Sequence, residues 1–345
     1  MRTTGAILYL ALLAAGCAAA PDAPTQEAPS HRVPLEAGSF GGVAWLPNGW
    51  LVLSRDAAPD SPEALFRLRP DGSGLQPLPI PGDPACLAIR HDSPVSLGDG
   101  RVAFLYSCSL ALGPDQIFVK AFDPGTGRTS QLTARPLEGY FSGTITWSTL
   151  KDRGMIGDSV APCMSIAWLT PQGVEPAAIT ISEGERSWRL DELHKRGGSD
   201  CNDLGNAGWP AWSPDGGTIA FFAFLQAMGV GNQFSRLDAP WNLYLMDPDE
   251  QQPRKALDGV VDAHGLKWSP DGRWLAFSGE IHGWDGVWVY APSTQRLLHI
   301  SVDPMNNLGW SPDGQRIVGT VHLPVQGPAN DELVILDVGA LISDR

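Results

Sequence analysis

Four histidines are the side chains of this sequence that could most readily do chemistry: His91, His264, His282 and His322. Neutral imidazole binds zinc and other transition metals, so several imidazoles brought together could form a catalytic metal centre. However, the sequence has no His-x-His or His-Glu-x-x-His spacing, and the four histidines fall in three different repeated units. This pattern favours histidines that are solvated or hydrogen-bonded in loops of a binding surface. We therefore predict no metal and no cofactor.

A second candidate for chemistry is Gly157-Asp158-Ser159-Val160-Ala161, which superficially has the form of a nucleophile elbow. Such an elbow needs a strand, a sharp turn and a helix, whereas this segment is predicted to join two strands. We therefore interpret the match as chance. No glycine-rich loop follows a predicted strand and opens a helix, so nucleotide binding has no support.

Three tryptophans, Trp188, Trp241 and Trp284, lie in or beside predicted loops. Tryptophan is enriched among the residues that dominate binding energies at interfaces. The sequence leaves two interpretations open for these three side chains, contact with a partner and local packing. We group them with the four histidines as a predicted binding site.

A repeated turn motif indicates the elements that must position these residues. Trp-Ser-Pro-Asp-Gly begins at Trp212, Trp268 and Trp310, and a looser copy begins at Trp45. Proline presets φ at the second position of a turn, aspartate tolerates the third, and glycine accepts a positive φ at the fourth. An apolar run follows every copy, so each one predicts the turn of a β-hairpin.

Two degenerate copies of the motif complete a series of six anchor positions, spaced 51, 51, 65, 56 and 42 residues apart. The second half of each unit contains a strand rich in β-branched and aromatic residues, and most units have a fourth strand. The series predicts an all-β fold, a six-bladed β-propeller of four-stranded antiparallel blades. The anchor positions are Trp45, Ser96, Trp147, Trp212, Trp268 and Trp310.

The turn, its flanking strands and their spacing resemble the TolB-type propeller family over residues 32–345. The last unit lacks a clear fourth strand and Arg32-Val33-Pro34-Leu35 resembles one, so an N-terminal strand is expected to close the ring. The resemblance implies a protein partner in the cell envelope. TolB itself has an N-terminal α/β domain, whereas only a tether is expected here. Some propellers with this repeat resemble metal-dependent sugar-acid lyases, which suggests an alternative function.

In a four-stranded meander the connections alternate between two faces of the disc. The first and third connections are mostly tight turns here, and we call their side the turn face. The long connections 225–240, 321–331 and 182–208 fall on the other side, the loop face, and the last of them contains a predicted helical turn from Ser187. Long loops on a rigid scaffold commonly bind, so we predict that the loop face is functional and that the turn face offers little shaped surface.

The cysteines fit the same division. Cys86, Cys108, Cys163 and Cys201 are all predicted to lie on the loop face, and an even number in an exported chain suggests two disulfides. Three pairings are formally possible. Pairing of nearest neighbours predicts Cys86–Cys108 and Cys163–Cys201.

The N-terminus predicts export. Arg2 precedes the apolar run 6–15, and Leu13-Ala14-Ala15-Gly16-Cys17 resembles a bacterial lipobox, in which the cysteine is acylated. We expect a signal peptide over 1–16, a disordered Ala/Pro-rich tether over 17–31, and the propeller over 32–345. Ala18 in place of an aspartate favours the outer membrane over the inner membrane. The net charge of −14 argues against nucleic-acid partners.

Together these features predict a lipid-anchored protein of the cell envelope, facing the periplasm or the cell surface. Its function would be that of a protein-binding or scaffolding module, without catalysis, acting through the loop face. The alternative is a metal-dependent propeller enzyme of the carbohydrate lyase or hydrolase type, with its site in the axial funnel. Fold alone does not decide between them.

Overall fold

Each Trp-Ser-Pro-Asp-Gly segment forms a tight turn between two antiparallel strands, as its residue types predict. In the copy that starts at Trp212, the amide of Gly216 donates to the carbonyl oxygen of Ser213 at 2.9 Å, and Gly216 has a φ of +71°. The Ser213 hydroxyl donates to Asp215, whose carboxylate also accepts the amide of Gly217. The same bonds recur in the copies at Trp268 and Trp310.

The structure is a computed structural model that describes residues 26–35, 40–56, 63–137, 144–160, 163–183, 186–189, 206–224, 240–323 and 331–343. The described chain is all-β, and its one helix, α1, is a short turn at Gly339–Ile342. None of the described helical structure has the length and apolar character needed to cross a bilayer.

Three four-stranded antiparallel meanders follow one another in the first half of the chain. The first contains β2 (Phe40–Trp45), β3 (Leu51–Asp56), β4 (Glu63–Leu68) and β5 (Gln76–Pro77). The second contains β6 (Ala88–Ser96), β7 (Val102–Ser109), β8 (Gln116–Asp123) and β9 (Arg128–Gln131). The third contains β10 (Ile145–Ser148), β11 (Arg153–Val160), β12 (Cys163–Thr170) and β13 (Gly173–Pro176).

A seven-stranded sheet follows, and it consists of two meanders that share one long strand. The shared strand, β19, runs over Arg254–Trp268; it is the outer strand of the meander before it and the inner strand of the meander after it. The other members are β16 (Asn206–Trp212), β17 (Ile219–Phe224), β18 (Trp241–Met246), β20 (Leu275–Glu280), β21 (Val287–Ala291) and β22 (Arg296–Ser301).

The last sheet is completed by the N-terminal strand, as the sequence predicts. Its strands are β23 (Asn306–Trp310), β24 (Arg316–His322), β25 (Asp331–Asp337) and, outermost, β1 (Ser30–Arg32). Strand β1 is antiparallel to β25 and begins two residues before the expected segment. The residues before β1 also contact the preceding meander, because the Ala28 amide donates to the Ile300 carbonyl oxygen in β22 at 2.9 Å.

The segment between the third meander and β16 differs from the prediction. Residues around Ser187 were expected to form a helical turn, but Arg186–Arg189 is a strand, β15, paired with β14 (Thr180–Glu183) in a two-stranded hairpin. The prediction of a helical turn at Ser187 is therefore wrong. Cross-strand pairing of Ile181 with Trp188 and of Thr180 with Arg189 satisfies the backbone instead.

Among the described residues, six apolar clusters lie between neighbouring meanders, and their order is cyclic. For example, Val52 of the first meander packs with Phe104 of the second, and Phe222 packs with Phe277 across the shared strand. The last sheet packs against the first through Val318 and Leu53. The inner strands follow the same order, because β2, β6, β10, β16, β19 and β23 each contact the next and β23 contacts β2.

The second meander carries a disulfide between Cys86 and Cys108, which confirms that predicted pair. Strand β12 begins at Cys163, but its side chain and the whole of Cys201 lie outside the described residues. The second predicted disulfide therefore stays a prediction. Cys17 and residues 1–25 also lie outside them.

Candidate binding channel

Six inner strands of the described chain line two adjoining cavities, which together we call the channel. Equivalent positions of the repeat line these cavities in successive rings. The equivalence is visible in the backbone: the residue after the anchor donates its amide across the turn in five of the units. These bonds run from Leu46 to Trp50, Leu97 to Arg101, Ser213 to Thr218, Ser269 to Trp274 and Ser311 to Arg316. We therefore describe each lining residue by its distance along the chain from the anchor.

The larger cavity lies at the turn face and has a volume of about 460 Å³. The anchors line it, and so do two rings of residues beside them. The residues two positions after the anchor are Pro47, Gly98, Thr149, Pro214, Pro270 and Pro312. The residues one position before it are Ala44, Val95, Thr146, Ala211, Lys267 and Gly309. The turn face was expected to offer little shaped surface, and that expectation fails at the channel mouth because the repeat itself builds a cavity there.

A smaller cavity of about 80 Å³ adjoins the first on the side of the loop face. The two share lining residues, among them Pro94, Leu308 and Lys267. The ring that lines the smaller cavity lies three positions before the anchor and consists of Gly42, Ser93, Thr144, Trp209, Gly265 and Asn307.

Irregular backbone marks this second ring in four of the units. Ser93, Trp209 and Asn307 have left-handed backbone, with φ of 51°, 49° and 55°, and Gly265 has a φ of 70°. The strand register shifts at each of these points. A bulge of this kind bends the strand and changes which way its side chains point. The third unit pairs without a register shift, yet its Thr146 also lines the channel, so the bulges accompany this lining position and do not by themselves determine it.

Lys267 is the one charged residue among the described residues that line either cavity. Within the described chain, its ammonium group makes no salt bridge and no hydrogen bond. Burial lowers the pKa of Lys267 from its usual 10.5 to about 8, since the charged form loses hydration and no carboxylate compensates. The side chain remains partly open to the cavity. A solitary cation therefore lies in the channel of a protein whose net charge is −14.

His264 is the second titratable residue of the channel lining, and it lies on the loop side of Lys267. Its Nδ1 is 2.7 Å from the carbonyl oxygen of Asp262. Burial raises the pKa of the Asp262 carboxyl; the nearby Asp285 adds to this and His264 opposes it.

The remaining predicted site residues are dispersed. The His91 ring is buried against Phe104 and Tyr106, and burial together with the nearby Lys120 lowers the pKa of His91 to about 4. Trp241 is only 2 % exposed and packs edge-on against Trp209 and Phe224. For Trp241 the structure therefore shows local packing, which is one of the two interpretations that the sequence left open.

The two other histidines and Trp284 lie nearer the surface. His282 and Trp284 share one turn between β20 and β21, where Trp284 is 54 % exposed. The Nδ1 of His322 lies 2.9 Å from Asp331. The side chain of Trp188 lies outside the described residues. No group of three or more His, Cys, Asp or Glu side chains in the described ranges could hold a metal ion.

Sequence reasoning missed Lys267, although a signal for it was present. The residue before the anchor is small, apolar or a hydroxyl residue in five units and lysine in the remaining one. Alignment of the repeats at that single position would have identified it. In three units the left-handed residue of the bulge before this position is not glycine, so no glycine in the sequence indicates the bulge there.

Comparison with solved structures shows a β-propeller fold. The chain is similar to TolB from Acinetobacter baumannii, with a TM-score of 0.51 and 15% identity over 88% of this chain and 65% of that one. It is equally similar to a gluconolactonase from Xanthomonas campestris, with a TM-score of 0.51 and 14% identity over 91% and 90%. For a calcium-binding regucalcin from Agrobacterium tumefaciens the TM-score is 0.50, and the identity is 14% over 90% of this chain and 95% of that one.

The chain thus matches slightly less than two thirds of the length of that TolB. No family model and no curated protein sequence matches the chain. At these identities the likeness shows the fold, since proteins with TolB-like folds include both binding proteins and enzymes.

Proposed function

We propose that the protein is a six-bladed, TolB-like propeller whose ring is closed by β1. The cyclic order of contacts among the six inner strands supports the blade number. The packing of Val318 against Leu53 supports contact between the last and first blades. Pairing of β1 with β25 supports the closure, because it covers the edge of the last sheet.

The protein is further proposed to be an exported lipoprotein, anchored through acylated Cys17 and directed to the outer membrane. The Cys86–Cys108 disulfide supports export, since disulfides persist mainly in oxidising compartments. The lipobox-like segment supports the anchor.

In the envelope the propeller acts as a binding module. A partner protein docks on the loop face and extends one of its groups through the smaller cavity into the larger one, past Lys267, which lines both. The observation that carries this proposal is the channel itself, a cavity of about 460 Å³ with apolar rings and one cation. Ligand sites are typically concave, mostly apolar and supplied with a few polar groups that fix orientation.

Photocrosslinking in cells tests the docking face. A photoreactive amino acid is placed at Trp284 on the loop face or at Leu75 on the turn face, both of which are exposed and outside the cavity lining. We expect a specific envelope protein to be crosslinked from position 284 and not from position 75. The opposite pattern would assign the partner to the turn face.

A channel-filling substitution tests the role of the channel in the same cells. Val95→Phe places a ring in the cavity and should abolish the crosslink, whereas the control Leu75→Phe, at an exposed position outside the cavity lining, should not. If Val95→Phe leaves the crosslink unchanged, the partner does not use the channel. Loss of the crosslink on metal chelation would instead favour the metal-dependent alternative.

A further inference from the structure

We propose that Lys267 is a carboxylate-recognition residue, and that the channel receives an apolar group that carries a single carboxylate. The inference rests on the proposed function, because it names the chemistry of the group that the channel takes. A C-terminal residue of a partner, or an acidic side chain presented in an apolar context, has this chemistry.

Lys267 is the exception in its ring. The equivalent residues of the other units carry no charge and include Ala44, Ala211 and Gly309. A charge held away from water is costly unless it is paired. No partner for this ammonium exists among the described residues, and no acidic residue lines either cavity. A bound anion would provide the missing partner.

The single ammonium group sets the charge of the ligand. One ammonium group neutralises one negative charge, and it acts as a compact point charge. A monocarboxylate would leave the occupied channel neutral. A phosphate dianion would leave a buried negative charge, and none of the described lining residues is an arginine that could bind it with two parallel hydrogen bonds. The channel chemistry therefore favours a carboxylate over a phosphate group.

The rest of the ligand would lie against apolar surfaces. Beyond Lys267, the larger cavity is lined by indole rings and prolines, with Trp268 and Pro270 on the same inner strand and turn as the lysine. These surfaces suit an aliphatic or aromatic group. The cavity volume falls within the range of small-molecule sites, roughly 300–1,000 Å³.

Protonation is compatible with this role. The titratable groups of the channel lining are Lys267 and His264, each contributed by β19. With its pKa lowered to about 8, Lys267 still carries its charge at neutral pH and loses it in mildly alkaline solution.

A matched pair of probes tests the inference on the purified protein. The probes are 4-phenylbutyrate and 4-phenylbutan-1-ol, which share an apolar body and differ in charge. The tryptophans of the cavity lining provide the fluorescence signal, and calorimetry checks the stoichiometry. The wild type at pH 7 should bind the acid at least about tenfold more tightly than the alcohol.

Three variants complete the experiment. Lys267→Met should lose that preference and bind both probes equally, and Lys267→Arg should retain a preference for the acid. Lys255→Met, a change at an exposed lysine outside the channel lining, should behave as wild type. Thermal melting checks that each variant is folded.

The outcomes separate the inference from the proposed function. If the wild type binds both probes equally, or if Lys267→Met keeps the preference, the channel binds ligands but Lys267 does not select carboxylates. If neither probe binds the wild type at the channel, the inference and the role of the channel both fail. A Lys267→Met variant that is folded and loses only the acid preference supports the inference.

Discussion

The indole N–H of Trp310 donates to the carbonyl oxygen of Lys267 at 3.2 Å, across two neighbouring inner strands. Trp268 makes the same bond to Ala211, at 3.1 Å, one unit earlier. In both cases the acceptor is the residue just before an anchor. In these two units the tryptophan thus holds the backbone of the residue before the neighbouring anchor, while the side chain at that position is free to differ between units. That separation allows one member of the ring to be lysine.

We expect Trp310→Phe to lower the free energy of unfolding more than Trp212→Phe does. Both indoles are equally buried, but the Trp212 Nε1 has no hydrogen-bond partner among the described residues. The difference should be about 1 kcal/mol, the usual net value of one hydrogen bond. Urea denaturation of the two variants measures it. Equal losses would mean that the bond to Lys267 contributes little.

Replacement of Lys267 by methionine should stabilise the protein at pH 7. A folded-state pKa of about 8 lies below the usual value of 10.5, so folding works against the charged form. Removing the ammonium should raise the free energy of unfolding by about 1–3 kcal/mol, allowing for water in the cavity. Methionine keeps a similar length and apolar surface. A marked loss of stability would indicate that the lysine is a structural residue.

The same pKa fixes the pH dependence of that difference. Between about pH 8 and 10.5 the unfolded chain binds a proton that the folded chain has released, so the free energy of unfolding of the wild type rises with pH relative to that of the variant. The advantage of Lys267→Met should thus be complete below pH 8 and vanish by about pH 10.5. Denaturation of both proteins across this range tests the sign, and an advantage that grows with pH would contradict it.

Removal of the Cys86–Cys108 disulfide should lower the free energy of unfolding by about 3 kcal/mol in the chain-entropy model. The two cysteines are 22 residues apart, a loop length for which that model gives this value. The double variant Cys86→Ala/Cys108→Ala, compared with the wild type by thermal melting, provides the measurement. Peptide mapping without reductant should also recover Cys163 linked to Cys201, and free thiols there would refute the second pair.

Cys17→Ala should release the protein from the membrane fraction of its host. The lipobox-like segment predicts acylation of this residue, and one changed atom removes the acyl acceptor. Fractionation followed by intact-mass analysis provides the readout. A wild type without acyl mass, together with a variant that still sediments with membranes, would exclude the anchor.

Features encoded by local turn chemistry could be predicted from the sequence. The hairpins, the four-stranded sheets and the pairing of β1 with the last sheet all follow from residues that fix φ or alternate along a strand. The burial of Trp241 could not be predicted in this way, since it depends on contacts with Trp209 and Phe224 from other strands.

The candidate channel was the least predictable part. Lys267 follows a bulge at Gly265, and the equivalent bulge of the preceding unit uses Trp209, a residue that carries no turn signal. The prediction of a helical turn around Ser187 is wrong for a related reason. Its polar composition is compatible with a helical turn, and only pairing with β14 makes it a strand.

Strand β19 joins two meanders by a continuous backbone over Arg254–Trp268. Its first half pairs with β18 and its second half with β20, and the two halves meet at Val260 and Val261 with no loop between them. Movement of one meander is therefore transmitted directly to the backbone of the other, and we expect these two to exchange their amide protons more cooperatively than meanders joined by loops. Lys267 lies in the second half of this strand, so the position of the channel cation is coupled to both meanders.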